Sequence, residues 1–111
     1  MKYFIGLDGG GTKTKCILTD ENYNSIYECT GGPSNFLMLG TEKVSETIFN
    51  LINEAITNSK INEDDLEAVL IGTTGAGRVN DANSLKETFL NYSHQKNLKL
   101  KNFFVESDAR I

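Results

Sequence analysis

A carboxylate followed by three consecutive glycines and two hydroxyls lies near the start of the chain, in the run Leu7-Asp8-Gly9-Gly10-Gly11-Thr12-Lys13-Thr14. Glycine lacks a Cβ, so the backbone of such a turn can approach a ligand closely. Successive backbone N–H groups in a turn of this kind form a nest that binds anions. A carboxylate beside a phosphate is repelled unless a cation lies between them. The spacing therefore predicts a phosphate together with Mg²⁺, with Asp8 holding the metal through water.

Two better-known phosphate loops do not fit this run. A Walker A loop has Lys and then Ser or Thr directly after its second glycine, whereas here Thr12 follows Gly11. A dinucleotide fingerprint needs a third glycine and a helix, whereas Thr14 takes that place and the next residues predict a strand. A glycine-rich hairpin turn stays open as the alternative, although such turns rarely need three glycines after an Asp.

A second candidate loop contains the only proline of the chain, in Gly31-Gly32-Pro33-Ser34-Asn35. Glycine and proline together are typical of a connector between two elements. The amide of Asn35 also offers both a donor and an acceptor, which suits a sugar hydroxyl. From the residues alone, a plain connector and a substrate loop both remain open.

Two more candidate segments follow apolar runs. The residues 68–71 predict a buried parallel strand, and the glycine-rich residues 72–78, which include Gly75, come directly after it. Loops at the carboxyl ends of parallel strands are where α/β folds bind ligands, although a plain connector is the alternative. Asp108 follows a strand predicted over 102–106, so it is expected at the same edge of the sheet as Asp8. Asp108 also suits an N-cap, and an N-cap can be catalytic.

Four segments carry a family resemblance, namely residues 8–14, 31–35, 72–78 and 105–109. In this order they resemble the motifs of the BadF/BadG/BcrA/BcrD ATPase family, and within it N-acetylglucosamine kinases most of all. The first motif also looks like the phosphate loop of the wider sugar kinase/Hsp70/actin superfamily. The resemblance spans the whole chain and implies that residues 1–111 are the N-terminal lobe of a two-lobed, ATP-dependent kinase whose second lobe is absent here. A single lobe leaves ATP uncovered, so the isolated lobe is expected to be inactive.

The resemblance also implies a role for each matching residue. It assigns the transferred phosphate of the nucleotide to Gly10, Gly11, Thr12 and Lys13. It assigns the sugar to Asn35, Gly75 and Asp108, and Asp108 is also the implied catalytic base that accepts the proton of the attacking hydroxyl. The implied cofactors are ATP and Mg²⁺, and the implied substrate is an amino sugar, N-acetylglucosamine, phosphorylated at its 6-hydroxyl.

Two other functions remain open at this point. One is an ATPase activator of a 2-hydroxyacyl-CoA dehydratase or benzoyl-CoA reductase, which shares the fold and first motif and holds an iron–sulfur cluster between subunits. The other is a sugar-binding lobe without turnover. The residues Gly-Pro-Ser-Asn at 32–35 favour the kinase.

The elements that must position these residues form an α/β pattern. Strands are predicted over 2–7, 14–20 and 25–30, and their short connections predict an antiparallel meander. With the later strands 68–71 and 102–106, the element order matches a ribonuclease H-like fold. The resemblance implies a mixed five-stranded sheet in the order 3-2-1-4-5 with helices packed on it.

Two helices complete the pattern. The first, over 42–59, carries one apolar stripe at helical spacing, and Thr41 is expected to be its N-cap. The second is predicted over 82–95, with Leu85 and Phe89 facing inward. Between them, a short helical turn capped by Asn62 is expected. The apolar stripe of the first helix consists of Val44, Ile48, Leu51, Ile52, Ala55 and Ile56.

Composition narrows the function further. The chain has 111 residues and a net charge of −4, which argues against nucleic-acid binding because that function has a basic footprint. The first apolar run is too short for a signal peptide or a membrane span, so a cytoplasmic protein without a membrane partner is expected. An apolar face left for a second lobe also predicts a homodimer.

Three residues with reactive side chains are expected to lie outside the site. Cys16 and Cys29 fall on the two arms of a predicted hairpin, where they can be near neighbours. Free thiols are the default in a reducing compartment, and a disulfide between the two stays open as the alternative. No Cys or His spacing typical of a metal site is present. His94 lies in a polar stretch and is expected to be exposed.

Overall fold

The computed structural model describes residues 2–9, 13–32, 40–73, 79–98 and 100–107 of the chain. The described residues form five strands and two longer helices, with a short 3₁₀ turn, Glu63–Asp65, before the fourth strand. In chain order the elements are β1 (Tyr3–Gly9), β2 (Thr14–Asp20), β3 (Ser25–Gly31), α1 (Thr41–Ser59), β4 (Leu66–Thr73), α2 (Val79–Gln95) and β5 (Phe103–Ser107).

The five strands form one mixed sheet in the order β3-β2-β1-β4-β5. The pairs β1–β2 and β2–β3 are antiparallel, which confirms the predicted meander. The pairs β1–β4 and β4–β5 are parallel. The expected ribonuclease H-like sheet and its strand order are therefore confirmed, and β1 lies at its centre.

The hydrophobic core lies between the two helices and one face of the sheet. The predicted stripe of α1 is buried from Val44 to Ala55, and Ile56 packs against its edge. Leu85 and Phe89 of α2 are fully buried, and the ring of Phe89 stacks on that of Phe103 at a centroid distance of 4.4 Å. The sheet contributes every second residue of its strands, Ile5, Leu7, Cys16, Leu18, Val69, Ile71 and Phe103.

The alternate residues of the same strands line the opposite face, which we call the open face. It is a shallow trough of about 630 Å³ whose apolar floor consists of Phe4, Ile17, Ala68, Leu70 and Phe104. Leu70 is 37% exposed and Phe104 is 47% exposed. The prediction of a buried strand at 68–71 was therefore wrong for one of its two faces, because no helix among the described residues packs there.

The ends of some elements differ from the predicted ones. The N-cap of α1 is Gly40, at φ 87° and ψ 151°, so the prediction of Thr41 was wrong. Thr41 is instead the first helical residue, and its hydroxyl contacts that of Thr88 on α2 at 3.1 Å. The predicted cap of the 3₁₀ turn is confirmed, since the Asn62 side chain accepts a hydrogen bond from the backbone N–H of Asp64. Strand β4 is longer than 68–71 at both ends.

A single carboxylate organises the turn between β2 and β3. Oδ1 of Asp20 accepts hydrogen bonds from the backbone N–H groups of Asn22 at 2.9 Å and Asn24 at 3.0 Å. These bonds, chiefly the one from Asn24, lower the pKa of the Asp20 carboxyl. In the described ranges, neither helix is both long and apolar enough to cross a lipid bilayer.

Candidate functional site

Three of the predicted site segments begin at one edge of the sheet. The last residues of the parallel strands β1, β4 and β5 are Gly9, Thr73 and Ser107, and they lie in one register row. The glycine loop follows Gly9, the second glycine-rich segment follows Thr73, and Asp108 follows Ser107. This is the carboxyl edge of the parallel strands, where α/β sheets bind ligands.

Asp8 lies one row inside this edge, on the open face. Its neighbours in the register are Lys15 on β2 and Gly72 on β4. The side chain of Asp8 is exposed, and among the described residues no hydrogen bond or ion pair engages its carboxylate. Lys15 pairs instead with Glu28, at an Nζ–Oε1 distance of 3.4 Å. Asp8 therefore presents, near the end of the central strand, a negative charge that no described side chain pairs with.

An exposed carboxylate of this kind fits the binding of Mg²⁺. Mg²⁺ prefers oxygen ligands, keeps several waters and is commonly held by one or two carboxylates together with substrate phosphates. No cluster of three or more His, Cys, Asp or Glu side chains suited to a metal occurs among the described residues. Asp8 is thus an exposed carboxylate near this edge with the chemistry for a water-mediated metal.

A buried hydroxyl ties two of the predicted loops together. Thr14 is fully buried, and its Oγ1 donates a hydrogen bond of 2.8 Å to the carbonyl oxygen of Gly32. Its register partner on β3 is Gly31. Since Thr14 ends the first loop and Gly31 begins the second, this pairing holds their neighbouring ends side by side.

Sequence reasoning counted Thr14 only as a hydroxyl of the glycine turn and missed this positioning role. A signal was available, because the alternation of β2 puts Thr14 on the same side as Cys16 and Leu18, which are buried. A hydroxyl at a buried position needs a hydrogen-bond partner, and a neighbouring turn is where carbonyl groups are free.

The exit from β3 is packed tightly against α1. A Cβ added to Gly31 would lie 3.1 Å from Cδ2 of Leu51, which is closer than ordinary contact. Beside it, a polar groove of about 200 Å³ includes Asn50 and Glu54 of α1. Glu54 accepts a hydrogen bond of 2.8 Å from the hydroxyl of Tyr27 on β3. Helix α1 therefore limits the path that the chain can take where it leaves β3.

Of the predicted site residues, the structure describes Asp8 and Lys13. Lys13 is exposed and leads directly into β2. The others lie outside the described residues, so their roles stay predictions: Gly10, Gly11, Thr12, Asn35, Gly75 and Asp108. His94 is exposed, as expected, and Cys16 and Cys29 carry free thiols.

A family profile matches almost the whole chain. It is that of the BadF/BadG/BcrA/BcrD ATPase family, and the match extends over residues 5–109. Among curated proteins, an N-acetylmuramic acid/N-acetylglucosamine kinase of Clostridium acetobutylicum is 31% identical over 111 residues, covering 100% of this chain and 35% of that protein. Glucosamine kinase GspK of Vibrio cholerae is 29% identical over 77 residues, covering 69% of this chain and 26% of that protein.

The fold has a clear likeness among solved structures. A ROK family glucokinase from Streptomyces griseus, in complex with glucose and AMPPNP, superposes with a TM-score of 0.65 at 23% identity. The superposition covers 96% of this chain and 33% of the glucokinase. The chain thus spans about a quarter to a third of the length of these proteins, and the likeness to the glucokinase concerns the fold.

Proposed function

The chain belongs to the BadF/BadG/BcrA/BcrD ATPase family, and we propose that residues 1–111 form the N-terminal lobe of an ATP-dependent amino-sugar kinase. The second lobe is, on this proposal, absent from the chain. The preferred substrate is N-acetylglucosamine, phosphorylated at its 6-hydroxyl. The observation that carries the proposal is the match, over the full chain, to a kinase named for N-acetylmuramic acid and N-acetylglucosamine.

The phosphate side of the site consists of Asp8 and the glycine loop. Asp8 would hold Mg²⁺ through water, and the bound metal would offset the negative charge of the phosphates. The backbone N–H groups of Gly10 and Gly11, with Thr12 and Lys13, would bind the transferred phosphate. The exposed position of Lys13 supports this role, since an ammonium group at the loop end is available to an anion.

The sugar side consists of residues that follow β3, β4 and β5. Asn35 and Gly75 would orient the sugar, and Asp108 would contact it and accept the proton of the attacking hydroxyl. Phosphoryl transfer depends mostly on positioning and on stabilisation of charge. The hydrogen bond from Thr14 to Gly32 supports this arrangement, because it keeps the phosphate loop and the sugar loop adjacent.

ADP release by the full-length protein tests the reaction. The protein is given Mg-ATP alone and with each of a panel that includes glucose, glucosamine, N-acetylglucosamine and N-acetylmuramic acid. Release that depends on one amino sugar, together with its phosphosugar product, is the expected result. Slow release that is indifferent to every sugar contradicts the kinase and calls for an iron assay.

The Asp108→Asn variant tests the catalytic base. Asn keeps the size of the side chain but cannot accept the proton, so we expect turnover to fall by about 10²–10⁴-fold with the fold intact. The matched control is Asp65→Asn. Asp65 is exposed and lies just before β4, at the opposite edge of the sheet. The control should keep full turnover, and equal activity of both variants contradicts the role of Asp108.

The runner-up functions receive less support. The curated relatives are sugar kinases by name, which does not favour the activator with its iron–sulfur cluster. A non-catalytic sugar-binding lobe would bind sugar without releasing ADP, so the same assay distinguishes it. The full-length kinase is further proposed to be cytoplasmic and homodimeric. Light scattering tests the dimer, and a monomer at micromolar concentration contradicts it.

A further inference from the structure

Two cysteines face each other across neighbouring antiparallel strands, apart from the residues assigned to the site. Cys16 of β2 is the direct register partner of Cys29 of β3. Both thiols are free, and both approach the carbonyl oxygen of Leu51 on α1, at Sγ–O distances of 4.0 and 3.8 Å. Two sulfur atoms that approach one carbonyl oxygen from facing register positions lie next to each other.

The separation of directly opposed residues is compatible with a bond between them. Directly opposed residues of an antiparallel pair have Cα atoms about 4.5 or 5.5 Å apart, depending on the type of pair. Disulfides span Cα distances of about 4.4–6.8 Å. Both Cα separations lie within that range, and the Cβ separation of about 4.5–5.5 Å in such pairs meets the disulfide range of about 3.5–4.5 Å at its short end.

The two thiols differ in their access to solvent. Cys16 is 0% exposed, between the sheet and α1. Cys29 is partly exposed, because β3 is an edge strand. A small oxidant in solution can therefore reach Cys29 first. Cys16 then reacts only with the mixed disulfide that the oxidant has formed on Cys29.

We propose that Cys16 and Cys29 form a reversible disulfide in exchange with a small-molecule disulfide such as oxidised glutathione. The Cys29 thiol loses a proton and attacks one sulfur of the oxidant, which forms a mixed disulfide and releases one glutathione. The Cys16 thiol then loses its proton and attacks the sulfur of Cys29, which releases the second glutathione. Two protein thiols are oxidised, and one glutathione disulfide is reduced to two thiols.

The surroundings of the thiols set the rates of the two steps. Burial raises the pKa of the Cys16 thiol, and the neighbouring Cys29 raises it further. Burial also raises the pKa of Cys29, although the hydrogen bond with Cys16 opposes that shift. The thiolate is the reactive form, so the first step is slow. The second step also starts from a thiol with a raised pKa, but it is intramolecular between adjacent groups, which favours it over attack by a second molecule.

The bond would act on the hairpin that joins two predicted site loops. Cys16 lies two residues after Thr14, and Cys29 lies two residues before Gly31. Thr14 and Gly31 are register partners at the ends of those loops. Oxidation would thus lock β2 to β3 beside the site, whatever reaction the site performs.

Peptide mass mapping of the full-length protein tests the proposal. The protein is equilibrated with defined ratios of oxidised to reduced glutathione, quenched in acid, alkylated and cleaved with trypsin. Cleavage after Lys15 and Lys43 releases residues 16–43 with both cysteines. The expected product is this peptide without alkylation and lighter by two hydrogen atoms, and cleavage after Glu28 should leave its two parts joined. A fully alkylated peptide at every ratio overturns the proposal.

Two matched variants test the order of the steps. In Cys16→Ser the resolving thiol is missing, so the glutathione adduct should accumulate on Cys29. In Cys29→Ser the remaining thiol is buried, so no adduct should form on Cys16. An adduct on Cys16 as abundant as that on Cys29 overturns the order. The wild-type mapping stands independently of whether either variant folds.

Discussion

The two faces of the sheet are built from alternate residues of the same strands, yet they differ in burial and in charge. The helix-covered face is dry, with Ile5, Leu7 and Val69 at most 2% exposed. The open face leaves Leu70 and Phe104 partly exposed and also carries Asp8. The hydrophobic effect is proportional to the apolar area removed from water, so the covered face provides most of the stability. The open face, by contrast, carries the charged residue of the candidate site.

Removing a side chain from the covered face should have the largest effect on stability. Ile48 of α1 is 0% exposed, and Ile48→Ala leaves a cavity against the sheet. We expect the free energy of unfolding to fall by about 2–5 kcal/mol, measured by urea denaturation followed by circular dichroism. Ile17→Ala on the open face is the matched control and should cost clearly less, because Ile17 is only partly buried. Equal losses would mean that the open face is as well packed as the other.

Thr14 tests the positioning of the loops rather than the core. Thr14→Val keeps the shape of the side chain but removes the hydrogen bond to the carbonyl of Gly32. We expect a loss of about 1 kcal/mol in the free energy of unfolding, with faster amide exchange at the end of β3. The control is Thr19→Val on the open face, since Thr19 makes no side-chain hydrogen bond to the described residues. Indistinguishable amide exchange in the two variants would contradict the role of Thr14.

Substitution of Asp20 should have the smallest effect on stability, and this effect should depend on pH. Its pKa is lower in the folded chain, so its charged form stabilises the fold. This contribution is complete above the unfolded pKa of about 3.9 and is lost as the pH falls through the lower folded value. The melting temperature of the wild type should therefore fall more steeply below about pH 4 than that of Asp20→Asn. Parallel pH profiles from thermal melts would contradict this.

Local patterns predicted much of the fold. The helical spacing from Val44 to Ala55 specified the buried side of α1, because only one side of that helix is apolar. The turn at Asn62 followed from the preference of Asn side chains for free N–H groups. The strand order, in contrast, came from the resemblance to a family, since pairing between distant strands leaves little trace in a single sequence.

The differences have physical causes that local patterns do not contain. The apolar runs at 68–71 and 103–105 are equally compatible with one or two buried faces, so the exposure of Leu70 and Phe104 depends on what covers the sheet. Gly40 caps α1 in place of Thr41 because its positive φ suits glycine. The hydroxyl of Thr41 is then close to Thr88, a residue distant in the sequence.

The site was predicted less completely than the fold. The position of Asp8 near the carboxyl edge followed from the strand that precedes it and from the parallel partner β4. The hydrogen bond from Thr14 to Gly32 could not be predicted in this way, because the two residues become neighbours only when the hairpin forms. The roles of the residues on the sugar side, such as Asn35 and Asp108, stay predictions.

The position of β1 between a partner near in sequence and a distant one also predicts the order in which the sheet assembles. On one side β1 pairs with β2, which follows after a short loop, whereas on the other side it pairs with β4, which comes only after β3 and α1. Closing a short loop costs less chain entropy, so nearby pairings form sooner. During synthesis, the antiparallel meander of β1, β2 and β3 should therefore form before β1 pairs with β4. The row of Gly9, Thr73 and Ser107 is complete only when β5 has docked, so the proposed binding edge should be acquired late in folding.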